Sequence, residues 1–173
     1  MQATYHSASA LVLFGAMMLS ANAAVPQGEK RFVKSAIRDN YATIQMGRLA
    51  AGQGSNDEIK AFGRIIERDC ENANAQLLPI ANRLLIPVPT GPGAQQAQEY
   101  QALKRRFGLP FDRRFLSLTA KEYGESMVAY WRHTEGNDDT ARYARAELPV
   151  LWRHGMTARA LVAASASPEP DAP

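Results

Sequence analysis

A single cysteine, Cys70, stands in a chain of 173 residues. No disulfide can form within the chain, and the fold must rest on its apolar core alone. Histidine is scarce too: only His6, His133 and His154 occur, and none belongs to a Glu-x-x-His motif. Di-iron helical bundles need two such motifs plus a Glu from each of two further helices, so that chemistry is excluded. No strand-length stretch alternates apolar and polar residues with period two. Charge of one sign is also lacking. The formal net charge is +3, too small for a dedicated nucleic-acid binder, which gathers its basic residues on one face.

The longest apolar run, "ALVLFGAMMLS", is too short to span a bilayer comfortably. With the small residues of "ANA" before Ala24, it reads as a secretory signal, residues 1–23, cleaved after Ala23. The preceding "MQATYHSASA" has no Lys or Arg, which keeps an uncleaved anchor as the alternative. No cysteine follows the run to take a lipid. The expected address is periplasmic or secreted, with no transmembrane helix after cleavage. In such an oxidising compartment a lone cysteine is a buried thiol, an intermolecular bridge or a ligand.

What is present is helical periodicity. One segment runs from about Glu29 to Ala51, with Val33, Ile37, Tyr41 and Ile44 pointing inward beside a row of small residues, Ala36, Asn40, Thr43 and Gly47, suited to close helix packing. A second opens at "SNDE", where Ser55 and Glu58 make a capping box. Its stripe, Ile59, Phe62, Ile66, Cys70, Ala73 and Leu77, puts the cysteine on the core face. Pro79 predicts a kink or an end. "IPVPTGPG" is a stiff loop, and "AQQAQEYQALKRRF" a modest helix on the way across.

A third long segment starts near Pro110, with Phe115, Leu116, Thr119, Tyr123, Met127 and Tyr130 on one side. The last helix runs from about Asp139 to Ala164, with Tyr143, Val150, Leu151, His154, Ala158 and Leu161 inward and Pro149 bending it. Tyr130, Trp131 and Trp152 read as core aromatics. "SASPEPDAP" has nothing to bury. The expectation is all-α: a helical-bundle domain over residues 24–165 and a disordered tail over 166–173. Four long helices with one long crossover between the second and third make a ferritin-like four-helix bundle.

Three stretches carry a resemblance: "FVKSAI…YATIQMGRLAAGQGSNDEIKAFGRIIERDCENANAQL", "GLPFDRRFLSLTAKEYGESMVAYW" and "ARYARAELPVLWRHGMTARAL". Together, over about residues 31–162, they resemble the secreted bacterial family known as domain of unknown function 4142. The resemblance implies an exported, ferritin-like helical bundle. Against the family's pattern, Thr43 and Gln45 stand where acidic residues are usual before "GRLA". Cys70 follows Asp69 where a histidine is usual, and Tyr123 occupies the place of a second histidine. Only His154 remains of that set.

The candidate ligands are therefore His154 and Cys70, with Tyr123 nearby. A thiolate and an imidazole suit a single Zn or Cu ion, but structural zinc wants four good ligands and this set offers two and a poor third. The reading with more weight makes Cys70 a small apolar filler, Tyr123 a core aromatic, and His154 a histidine satisfied by a neighbour, with no cofactor. A catalytic thiol would need an accessible, electropositive setting and an oxyanion hole, and neither shows around Cys70. His133 reads as a surface residue near a helix end, and "GNDDT" as a cap supplied by Asp138 or Asp139 rather than a calcium loop.

The sequence thus reads as non-enzymatic: an exported envelope or stress-related interaction protein with a degenerate polar core site, its partner an unknown envelope protein or surface. The alternative is a periplasmic metal-binding or redox module using Cys70 and His154. A weaker third idea has the basic stretch "KRRFGLPFDRR", residues 104–114, touching anionic surfaces.

Overall fold

In a computed structural model, which describes residues 27–166, the chain is all-α. The helices are α1 (Gln27–Gln53), α2 (Asp57–Arg83), α3 (Ala94–Lys104), α4 (Gly108–Trp131) and α5 (Asp139–Ala166). The expected leader, residues 1–23, and nearly all of the expected tail lie outside the described residues.

α1 and α2 pair as one antiparallel hairpin, α4 and α5 as the other. At one end of the bundle, Thr140 at the start of α5 donates to Glu29 at the start of α1 over 2.6 Å. Arg83, ending α2, pairs with Asp139, and Tyr130, near the end of α4, meets Phe32 edge-on at 4.9 Å. At the other end Ser55, just before α2, bonds Asp112 in the first turns of α4, and Gln53 donates to the Arg106 carbonyl over 2.8 Å. α2 and α4 therefore run in the same direction. The connection between them, residues 84–107, has to travel the length of the bundle, and α3 lies within it.

The row of small residues on α1 does what its narrowness predicts. A Cβ added to Gly47 would stand 2.7 Å from the Gly63 carbonyl, and one on Gly63 would stand 2.6 Å from the Gly47 carbonyl. The α1 and α2 backbones cross there with no room for a side chain. Along the bundle Val33, Ile37, Ile66, Leu77, Phe111, Phe115 and Leu116 are completely buried.

Three local expectations are corrected. Ser55 does not cap α2: Asn56 does, its side chain accepting from the Ile59 amide over 2.9 Å. Ser55 instead satisfies the buried carboxylate of Asp112 with its amide and hydroxyl. Of the kink or end expected at Pro79, the end does not occur there: α2 continues to Arg83 and closes where Leu85 turns into the left-handed region at φ 54°. The amide of Ile86 then returns to the Ala81 carbonyl over 2.9 Å, taking up a carbonyl left free by the helix end. The third concerns the tryptophans. Trp131 and Trp152 are 70% and 59% exposed, not core aromatics, because each sits one position off its helix's inward stripe.

Candidate functional site

Each of the four long helices brings a polar side chain to one interior place. α2 contributes Cys70 and Asp69, α4 Tyr123, α5 His154 and Glu147, and α1 Thr43, close to the thiol. The three candidates read from the sequence therefore meet. His154 Nδ1 lies 3.1 Å from the Tyr123 hydroxyl, which lies 3.8 Å from Cys70 Sγ. On its other side, His154 Nε2 lies 3.0 Å from Asp69 Oδ2. The Cβ of Tyr123 is 3.4 Å from where a side chain on Gly155 would begin, so that glycine lets α5 lie close over the tyrosine.

The partners fix the protons. The Asp69 carboxylate accepts, so His154 carries its hydrogen on Nε2 and offers the Nδ1 lone pair to Tyr123 O–H. The phenol oxygen is then left to accept from Cys70 S–H. A directional chain results, thiol to phenol to imidazole to carboxylate, and it terminates where Asp69 Oδ1 takes two hydrogen bonds from Arg68, at 3.1 and 3.0 Å.

The electrostatics keep every link before the carboxylate neutral. Burial pushes the Cys70 thiol up to about 12, and the charges of Glu147 and Asp69 push the same way. Burial first, and Cys70 next, hold the Tyr123 phenol well above its ordinary value. Burial pulls His154 down, and the neighbouring Asp69 opposes this without cancelling it. A thiol held this high is a poor nucleophile.

Two residues of the site were not legible as members of it. Asp69 is adjacent to Cys70, and adjacent helical positions normally diverge, yet its side chain is only 19% exposed and reaches His154. Glu147 is 9% exposed and lies four residues after Tyr143 and seven before His154 on the inward face of α5. That spacing was the available signal. Burial raises its carboxyl, the charge of Asp69 adds to this, and Arg153 and Gln76 pull it back in part.

A second buried polar string lies nearby. Asn40 Nδ2 donates to Asn74 Oδ1 over 3.0 Å, and the Tyr130 and Tyr143 hydroxyls meet at 3.3 Å. His133 is not a bare surface residue. Its ring stacks on Phe32 at 4.1 Å, and its Nδ1 bonds the Ala129 carbonyl over 2.9 Å. Asp138 caps α5, accepting from the Ala141 amide over 2.7 Å.

For a metal, the donor set fits poorly as it stands. Both His154 nitrogens are engaged, and the thiol holds its proton. Among the described residues no three His, Cys, Asp or Glu side chains are arranged to hold an ion. A Zn or Cu ion on Cys70 and His154 would have to displace the Tyr123 hydroxyl and take the thiol proton.

The family model described as a domain of unknown function, DUF4142, matches residues 15–161, and the chain belongs to that family. A search of curated proteins finds no match. Two solved structures share the fold. A DUF305 fragment from Deinococcus radiodurans superposes with a TM-score of 0.72 at 12% identity, covering 80% of this chain and 97% of its own. A DUF305 protein from Streptomyces coelicolor, provisionally named as secreted, gives 0.68 at 13% identity, covering 84% and 98%. No helix among the described residues is long and apolar enough to cross a membrane.

Proposed function

We propose, from a family membership that brings no activity with it, that this chain is a non-enzymatic, exported helical bundle of the periplasm or cell exterior. It acts as an envelope or stress-related interaction protein through contacts on its surface. Its polar core site, in the ferritin-like position between the helix pairs, is a degenerate one that serves packing. One observation carries this reading: the groups that could do chemistry are bonded to each other, from Cys70 through Tyr123 and His154 to Asp69. A buried polar chain with every member satisfied specifies one packing arrangement.

Thiol labelling of the native protein tests the reading. With the Cys70 thiol at about 12 against an ordinary 9.0, its thiolate fraction at neutral pH is about a thousandfold lower than that of a free cysteine. Labelling is expected to be slower by at least that factor and to rise to the free rate in denaturant. A native rate equal to that of free cysteine would overturn the reading.

The second reading, a metal or redox module, draws on the meeting of Asp69, Cys70 and His154 around one tyrosine. It predicts one equivalent of Zn or Cu in protein purified without chelators, lost in both His154→Ala and Cys70→Ala.

A further inference from the structure

Trp131 and Trp152 are the only tryptophans in the chain, and both stand on the outer face of the α4–α5 hairpin. They flank an apolar trough of about 500 Å³, floored by Met127, Val128, Leu148 and Pro149. Val128 is 52% exposed, and Met156, one turn beyond Trp152, is 44% exposed. An apolar patch of this kind on a globular protein marks a contact surface.

The charges around it are one-sided. Arg145, one turn before Pro149 in α5, reaches back to the turn between the helices, donating to the Gly136 carbonyl over 2.8 Å and to the Thr134 carbonyl. Further along, the Arg159 guanidinium lies against Gly124 of α4. Exposed Arg132 and Arg153 follow the two tryptophans.

The acidic residues of the hairpin are engaged elsewhere. Asp112 bonds Ser55, Glu122 and Glu125 line the groove beside α1 and α3, and Glu147 is buried. Asp138 caps α5, and Asp139 pairs with Arg83 and Arg142. Among the described residues of the hairpin, Glu135 in the turn is the one acid with no partner.

The geometry points to an anionic lipid bilayer as the occupant of this face. Tryptophan rings settle at the level of the headgroups, and arginines around an apolar patch gain roughly 1 kcal/mol each from anionic lipid. The proposal rests on the preceding reading, whose surface it names. The two tests are separate, because a chain that fails here while keeping an unreactive Cys70 loses only this inference.

The experiment uses the chain as cells process it, with phosphatidylglycerol vesicles compared with phosphatidylcholine vesicles. Because both tryptophans are on the face, their emission reads its environment directly. A blue shift is expected on the anionic vesicles alone, reversed by high salt. Arg159→Glu, seven residues after Trp152 and so on its face of α5, is expected to weaken binding by at least about fivefold. The position is exposed, and circular dichroism checks that the variant keeps its helices.

Four results overturn the proposal. The first is no shift at all, and the second an equal shift on neutral vesicles. The third is pelleting with vesicles at unchanged emission, which assigns contact to residues 104–114. The fourth is a shift that grows with protein concentration without vesicles, which assigns the face to a second copy of the chain.

Discussion

The two helical hairpins are held together by opposite means. Where α1 crosses α2, Gly47 and Gly63 bring the backbones so close that neither position has room for a Cβ. The α4–α5 hairpin joins through large side chains, with Tyr123 against His154 at 5.1 Å and Tyr130 against Tyr143 at 5.8 Å between ring centres. Its outer side leaves an apolar trough open. The glycine crossing does little but hold. The seam of rings also carries polar atoms inward, where Tyr123 and His154 meet Cys70 and Asp69 of α2, and leaves apolar surface outward, so the second hairpin supplies two links of the interior chain and the exposed trough.

The sharpest way to break that contrast is Gly63→Val. Its Cβ would meet the Gly47 carbonyl at 2.6 Å and the Ala51 amide at 2.8 Å, both backbone atoms that cannot swing aside. A loss of about 3 kcal/mol or more is expected in urea denaturation, a large share of a typical domain's stability. At Gly52 an added Cβ meets nothing. Gly52→Ala should therefore stay within about 1 kcal/mol of the parent, on the favourable side.

The interior site and the groove beside α3 also differ in how they respond to pH. Gln96 of α3 donates to both Asp39 (2.7 Å) and Glu122 (3.3 Å), tying the crossover to α1 and α4. Burial, then the charge of Asp39, push the Glu122 carboxyl from 4.5 up to about 7. A carboxyl with a raised pKa binds its proton more tightly folded than unfolded. Its contribution is complete below 4.5 and is lost as pH rises through about 7, up to about 3 kcal/mol. His154 has the opposite sign. Its folded value lies below the ordinary 6.5, so its contribution is complete above 6.5 and falls as the solution turns acid. Melting temperatures from pH 5 to 8 should show Glu122→Gln removing the decline toward alkaline pH. An unchanged profile would mean that the groove admits more water than its burial implies.

Within the interior chain, Asp69→Ala leaves His154 Nε2–H without its acceptor and should cost about 1–3 kcal/mol. Asp69→Asn, which can still present an oxygen, should cost less. Nitrogen chemical shifts of His154 report the tautomer directly. The parent is expected to carry its hydrogen on Nε2, and Asp69→Ala should mix the two forms. A parent with the hydrogen on Nδ1 would reverse the direction assigned to the chain.

Much of this was legible in the sequence, for a reason visible in particular residues. Ile66, Cys70, Ala73 and Leu77 keep the three-and-four spacing that turns one side of a helix inward, and Cys70 is buried as that spacing predicts. The same rule placed Tyr123 and His154 inside, and three inward residues on three packed helices met. Asp69 escaped because helical phase describes where a Cβ points, not where the carboxylate beyond it reaches. Asn56 escaped because Ser55 is as good a cap one position earlier, and only the tertiary bond to Asp112 decides between them. The tryptophans were misread because hydrophobicity was given priority over phase. With Leu151 and His154 inward, Trp152 stands about 100° away around α5.

That last point leads to the smallest expected effect. Trp152 is 59% exposed, and among the described residues its indole makes no hydrogen bond or ring contact. Removing an exposed ring takes little apolar surface out of the folded state that the unfolded chain does not also expose. Trp152→Ser should therefore leave stability within about 0.5 kcal/mol, while Tyr123→Phe, which strips the hydroxyl that links Cys70 to His154, should cost about 1 kcal/mol or more. Acrylamide should quench both tryptophans of the free protein nearly as well as a small indole in water. Strong protection would mean that the trough is covered in solution, and the α4–α5 hairpin would then be as closed as its partner.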